Sequence, residues 1–202
     1  MFYKKKLLLV KPQFEFVGYC HATHKLLPMK HLELRRHSMR IAPGEHLSPA
    51  GVALARKLGE HMGPFQIVIT STKTRAQETA VAMGFAVREM RKEFVTFGDQ
   101  VNQVVQWPAP FAAWAAHAKT SKPVAKYLRK QAKLLREIMA ELDDGNAALI
   151  VSHGGVVEAG AVACLPGFDW AAAGDAVSYC EGVHLSFDTA LGQFTHAVII
   201  RV

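Results

Sequence analysis

Along the chain the spacing of apolar positions changes period several times, and each change predicts an element. "HLELR" (31–35) alternates, with Leu32 and Leu34 on one side, as a short half-buried strand does. From Leu47 to Gly63 the spacing lengthens to that of a helix with one apolar face. Ser48 stands at its cap, Pro49 in its first turn, and Leu47 and Val52 are spaced as a hydrophobic staple. "QIVITS" is a continuous apolar run, the mark of a strand buried on both faces. "KTRAQETAVAMG" predicts a helix stopped by Gly84, and "FAVREM" another strand. Residues 99–120, with "WPAPFAAWAAHA", keep no regular period. A long amphipathic helix is predicted from Ser121 to Leu142. Val124, Leu128, Leu135, Ile138 and Met139 form its apolar stripe, and Lys126, Lys130, Lys133 and Arg136 its wet side. "AALIVS" reads as a second buried strand and "GGVVEAGAVACL" as a helix. "GVHLSF" and "FTHAVII" close the chain as strands around a turn at Gly192. Strands alternating with helices in this way predict an α/β fold with a largely parallel sheet.

Composition narrows the class without choosing the chemistry. The chain has 202 residues, half of them hydrophobic (50%) and a fifth charged (20%), enough for one domain with a full core. "MFYKKKLLLVKPQ" imitates a secretory signal, but its apolar run stops at Lys11 and no small-residue cleavage site comes after it, which argues against export. No apolar run is long enough to span a bilayer, so no membrane partner is expected. The three cysteines, Cys20, Cys164 and Cys180, are scattered and odd in number, which points to reduced thiols in a cytoplasm. A formal charge of +7 favours anionic partners. Nucleic acid is disfavoured among them, because the lysines of the long helix lie on its solvated face without any recognised binding motif. Residues 1–28 share no period with the rest of the chain and are expected to be a poorly ordered extension, with the domain proper at 29–202. Cys20, His21 and His24 have ligand-like spacing there, but a single cluster without a second is no sufficient basis for a metal site. No metal and no cofactor are expected.

Three predicted strands end in residues that are expensive to bury. "LELR" runs into Arg36 and His37, "QIVITS" is followed by Arg75, and "AALIVS" by His153, Gly154 and Gly155. In an open α/β sheet, ligands bind beyond the carboxyl ends of the strands. Two imidazoles and two guanidiniums converging there suit an anion with several oxygens, since the arginine fork matches phosphate. The glycines after His153 open a helix, whose first N–H groups are expected to add to the anion site.

At these residues the sequence resembles the histidine phosphatase superfamily, the phosphoglycerate-mutase-like fold, from Met29 to the C-terminus. "LRRHSMR" resembles its Arg-His-Gly signature, with Ser38 in the place of the usual glycine. "LSPAGVALARKLG" is similar to the helix after that signature, "ITSTKTRAQETA" to its second-arginine motif, and "LIVSHGG" to its second-histidine motif. The resemblance implies a three-layer αβα fold with a mixed, mostly parallel sheet. It also implies a phosphomonoester hydrolase in which His37 attacks phosphorus to give a phosphohistidine. Arg36, Arg75 and His153 would hold the phosphoryl group, with Arg40 as a further contact and Arg35 structural. The general acid would be a carboxylate before a Phe-Gly pair, which selects Glu93, with Asp99 as the alternative; Gly154 excludes the branch that places the acid directly after the second histidine. Expected partners are a small phosphorylated substrate or a phosphoprotein, and an oligomer is compatible with this reading. The rival readings are a mutase-type phosphotransferase and a phospho-ligand or protein-binding module with little turnover.

Overall fold

The computed structural model of the protein describes residues 29–202, so the expected extension and the Cys20, His21 and His24 spacing lie outside the described residues. The chain begins with strand β1 (Met29–Arg36) and continues through α1 (Pro49–Gly59), β2 (Ile67–Ser71), α2 (Thr74–Ala82) and β3 (Glu89–Arg91). Helices α3 (Asp99–Asn102), α4 (Phe111–Thr120) and α5 (Lys122–Ala140) come next. Then come β4 (Ala147–Ser152), α6 (Val156–Cys164), β5 (Gly182–Asp188) and β6 (Gln193–Ile200). The sheet order is β3-β2-β4-β1-β5-β6. Strands β3, β2, β4 and β1 pair in parallel, and the β5–β6 hairpin adds antiparallel to β1.

The apolar runs in β2 and β4 serve two cores at once. Ile67 and Ile69 of β2, with Ala148 and Ile150 of β4, pack under α4, α5 and α6 beside Leu135, Ile138 and Met139. Their neighbours Val68, Leu149 and Val151 face the other way, against Ala76 and Ala80 of α2. Helices on both faces of a mixed, mostly parallel sheet give the three expected layers. Strand β1 alternates because only Leu32 and Leu34 enter the larger core. On its opposite face Glu33 pairs with Arg35 at 2.8 Å, and His31 lies 3.1 Å from His184.

Local signals act as their chemistry requires. The Ser48 hydroxyl accepts the Gly51 N–H at 3.0 Å, and Pro49 opens α1 where no N–H is needed. Gly84 ends α2 with φ +91°, a conformation that favours glycine. Two expectations change. The strand in "FAVREM" shrinks to three residues, because Phe85 and Val87 pack into the core between α2 and the sheet, beside Val68 and Ala76, instead of extending the sheet edge. The stretch without a period, 99–120, folds as α3 and α4, held by the fully buried Phe111 and Trp114.

Because β1, β2 and β4 are parallel, their carboxyl ends share one edge of the sheet. Arg36 is in register with Ser152, and Thr70 with Val151, so the polar residues just beyond these strands emerge side by side.

We propose that residues 1–28 are dispensable for the domain, since β1 enters the sheet at Met29, whose carbonyl accepts the Gly145 N–H at 2.9 Å. A chain that starts at Met29 is expected to be soluble and to melt within a few degrees of the full chain. Insoluble product would place part of the first 28 residues in the core.

Candidate active site

His37 is the first residue beyond β1, and its N–H continues the ladder to the Ser152 carbonyl at 2.8 Å. Its Nδ1 lies 2.7 Å from the Ser38 carbonyl oxygen, which can only accept, so the ring proton sits on Nδ1. Nε2 is therefore left with its lone pair, and the Nε–H of Arg75 donates to it at 3.1 Å. Ser38 itself is fully buried. Its hydroxyl donates to the Gly51 carbonyl at 2.7 Å and its N–H to the Thr79 hydroxyl at 2.9 Å. The extra hydroxyl is thus used to tie the strand end to α1 and lies away from the imidazole.

Arg75 comes from the first turn of α2 and reaches three partners. Besides His37 it contacts His153 Nδ1 at 3.3 Å through Nη2, and its Nη1 donates to the Glu45 carboxylate. Donation to Nδ1 leaves the His153 proton on Nε2, which lies 2.7 Å from the Ser71 hydroxyl at the end of β2. The two imidazole centroids stand 5.1 Å apart at 62°. Arg36, on the last position of β1, has its guanidinium 4.4 Å from the Tyr179 ring and 5.1 Å from the Trp107 ring, both within cation–π range. Its Nη1 donates to the Val177 carbonyl at 2.9 Å, while its buried Nε has no partner among the described residues.

Burial and charge act together on the imidazoles. Burial is the larger cause that lowers His37 to about 4, and Arg75, Arg36 and Arg40 push the same way against the Ser38 carbonyl. His153 is lowered to about 3, again first by burial and then by His37, Arg75, Lys73 and Arg36. Both rings are neutral at physiological pH, as the two donations from Arg75 require.

The structure brings His37, Arg36, Arg75 and His153 together. Arg40 stays at the rim: its Nη1 donates to the Pro43 and Gly44 carbonyls at 2.9 and 2.8 Å, so it shapes the loop that carries Glu45 and acts on His37 through its field. Arg35 is tied to Glu33 and to the Cys180 carbonyl on the other face. Glu93 lies exposed on a 3-10 turn (Lys92–Phe94) and Asp99 exposed at the start of α3; neither carboxylate hydrogen-bonds to the cluster. Two of the expected N–H groups are already engaged, and the Val157 N–H is one of them, donating to the His153 carbonyl at 3.1 Å. Gly155 N–H donates to the Glu158 carboxylate at 2.7 Å, and the Trp107 ring covers Gly154 so closely that a Cβ there would lie 2.2 Å from it.

Sequence reasoning missed Glu45, Ser71, Trp107, Glu158 and Tyr179. Glu158 left one readable signal, a single carboxylate inside the apolar run "VVEAGAV". Glu45, Trp107 and Tyr179 lie in irregular segments where nothing local marks them. Among the described residues no group of three or more His, Cys, Asp and Glu side chains could hold a metal ion. No helix among them is long and apolar enough to cross a membrane.

Neutral imidazoles and guanidiniums at the carboxyl edge of a parallel sheet have the donor chemistry that suits an oxyanion of several oxygens. The chain belongs to the histidine phosphatase superfamily (branch 1), whose family model matches residues 33–197. Its fold is similar to that of the mycobacterial glucosyl-3-phosphoglycerate phosphatase, with a TM-score of 0.57 and 20% identity over 85% of this chain and 97% of that one. A phosphoserine phosphatase from Entamoeba histolytica in complex with 3-phosphoglyceric acid matches with a TM-score of 0.58 and 16% identity over 86% and 98%. Phosphoglycerate mutase from Bacillus anthracis str. Sterne matches with 0.56 and 18% over 84% and 92%. No curated protein matches the chain.

The depressed imidazoles predict a direct titration result. Ring signals of His37 and His153 in NMR spectra should stay constant from pH 8 down to pH 6. They should move only as the pH approaches about 4 for His37 and about 3 for His153. A midpoint near the ordinary value of about 6.5 for either ring would contradict the burial and charge account.

Proposed function

We propose that the protein is a cytoplasmic phosphomonoester hydrolase that works through a phosphohistidine on His37, without a metal. The observation that carries this reading is the fixed tautomer of His37: its Nδ1–H is held by Ser38, which leaves an unprotonated Nε2 facing Arg75. An incoming phosphoryl group offers Arg75 better acceptors than an imidazole and a carboxylate do. As the guanidinium turns to the phosphoryl oxygens, the Nε2 lone pair is released at the reacting phosphorus. The unpartnered Nε–H of Arg36 supplies a second donor for the same oxygens.

His153 completes the clamp if its proton moves from Nε2 to Nδ1. The Ser71 hydroxyl can support that change by donating to Nε2 instead of accepting from it. In the first step the nitrogen–phosphorus bond forms and the bond to the leaving oxygen breaks, with a carboxyl group delivering its proton to that oxygen. In the second, water attacks phosphorus, the nitrogen–phosphorus bond breaks, and the same carboxyl group, now a carboxylate, accepts a proton from water.

Glu93 is our assignment for that carboxyl group, from the family resemblance, with Asp99 as the alternative. Glu45 enters as a rival from the geometry, because its carboxylate is the one bonded to Arg75. Hydrolysis is favoured over mutase transfer because 99–120, the segment available to close over an intermediate, is spent on the core through Phe111 and Trp114. Small phosphate esters are the first substrates to test, with phosphoproteins next; the phosphoserine phosphatase with 3-phosphoglyceric acid and the glucosyl-3-phosphoglycerate phosphatase point to phosphorylated carboxylic acids.

With labelled phosphomonoester in the presence of EDTA, an acid-labile, base-stable phosphate is expected on His37. His37→Ala should lower kcat about a thousandfold or more, the scale of removing a nucleophile. Near-normal turnover by this variant would reject the mechanism. Activity lost in EDTA and restored by a divalent cation would point to metal-assisted hydrolysis. Binding of substrate without turnover in the unaltered protein would favour the binding module.

The acid can be found separately. A poor alkyl leaving group needs protonation, whereas nitrophenolate needs little. Glu93→Gln is expected to slow alkyl phosphate hydrolysis about a hundredfold and nitrophenyl phosphate hydrolysis only a few fold. Asp99→Asn and Glu45→Gln should show no such split, and a split in either one would move the role there.

A further inference from the structure

We propose that Glu158 is a positioning residue of the phosphate site, whose carboxylate clamps the turn after His153 to the segment that orients Arg36. The proposal builds on the phosphatase reading above. Glu158 is fully buried, at the third position of α6, and does not touch the reacting imidazoles. Its Oε2 accepts the Gly155 N–H at 2.7 Å, two residues beyond His153. Its Oε1 accepts the Val177 N–H at 2.9 Å. The carbonyl of that same Val177 accepts Arg36 Nη1 at 2.9 Å. One carboxylate therefore links two separate arms of the site: directly the Gly-Gly turn after β4, and through Val177 the guanidinium at the end of β1.

A carboxylate suits this place for a specific reason. Each of its two oxygens meets an N–H, so both positions must be acceptors. A glutamine satisfies one N–H and sets its own NH2 against the other, and a protonated carboxyl sets a hydroxyl hydrogen there. Ionisation is costly at such depth: burial raises the Glu158 carboxyl to about 7, against the N–H bonds and the charge of Arg36. Arg36, from β1, is the cation whose field reaches Glu158. Around Arg36 stand Arg75 from α2, with Tyr179 and Glu181 from the segment before β5. The attraction is mutual, since Glu158 is among the charges that favour the protonated Arg36.

The link also accounts for the geometry of Arg36. Its guanidinium lies between Tyr179 and Trp107, and aromatic faces attract a cation without fixing its rotation in their plane. The Val177 carbonyl supplies the missing direction, and Glu158 holds Val177 in place. Nη1 is thereby engaged and Nε is left for an external acceptor.

The test compares Glu158→Gln and Glu158→Asp with the unaltered full chain by NMR of the Arg36 Nε–H, by thermal melting and by nitrophenyl phosphate kinetics. In Glu158→Gln the exchange of the Arg36 Nε–H, which burial and no hydrogen bond protects, should rise about tenfold as the released guanidinium reaches solvent, the scale of the charge-assisted hydrogen bond that Glu158 gives up. KM for nitrophenyl phosphate should rise by a similar factor, and a variant that also carries Arg36→Lys should lose little more than Arg36→Lys alone. In the unaltered chain, the protection of the Arg36 Nε–H relative to its intrinsic, base-catalysed exchange rate should fall as pH falls through about 7, and this dependence should vanish in Glu158→Gln. Glu158→Asp, which keeps the charge, should fall between the two. A lowered melting temperature with unchanged Arg36 exchange would make Glu158 merely structural and overturn the proposal. Losses that multiply fully with those of Arg36→Lys would do the same. If Arg36 exchange responds as expected while the unaltered chain hydrolyses no phosphomonoester, the positioning stands and the phosphatase reading fails.

Discussion

Arg75 donates to both site imidazoles, and a guanidinium can do that only when each ring offers it a lone pair. Much of the local structure depends on this requirement. Protonated rings beside Arg75, Arg36 and Lys73 would repel them, so neutrality must hold through physiological pH. Burial supplies the larger part of the shift and neighbouring charges the rest: the arginines at His37, and His37, Arg75, Lys73 and Arg36 at His153. The protons must also sit on the far nitrogens. The Ser38 carbonyl holds one there and the Ser71 hydroxyl the other. Ser38 lies just past β1, Ser71 ends β2 and His153 lies just past β4, so the parallel register of three strands sets the protonation pattern of the site.

The surplus positive charge is managed in two ways. Aromatic rings flank Arg36, which satisfies the cation over π faces without occupying its donors. Carboxylates serve the remaining positions, and their surroundings differ. Glu45 sits on a partly exposed loop shaped by Arg40, where it can exchange Arg75 for solvent when an anion arrives. Glu158 is sealed under the sheet edge and bonded to two backbone N–H groups, so it has no such freedom. The first is suited to yield to a ligand and the second to hold the frame that the ligand meets.

Buried strands were legible because burial on both faces leaves a continuous apolar run, as in "QIVITS" and "AALIVS". The start of α1 was legible because Ser48 and Pro49 state their roles locally. The expected strand before Glu89 was longer than the observed one, since Phe85 and Val87 pack into the core between α2 and the sheet and not along a sheet edge. Residues 99–120 hid two helices, because Phe111 and Trp114 are too few and too irregularly placed to make a stripe.

His37, Arg36, Arg75 and His153 could be read from the sequence because each is a costly polar residue at or just beyond the end of an apolar strand. The sequence by itself determined the order of strands and helices, the residues that meet at their ends, and the kind of charge they gather. Only the tertiary structure decided which nitrogen keeps its lone pair, that the Gly155 N–H is already taken, and that Glu45 meets Arg75 and Glu158 meets Gly155 and Val177. Those facts rest on contacts of about 3 Å between residues far apart in the chain, such as Arg36 with Val177 and Ser71 with His153. Local propensity carries no record of such distances, because hydrogen bonding depends on where the packed layers bring the atoms.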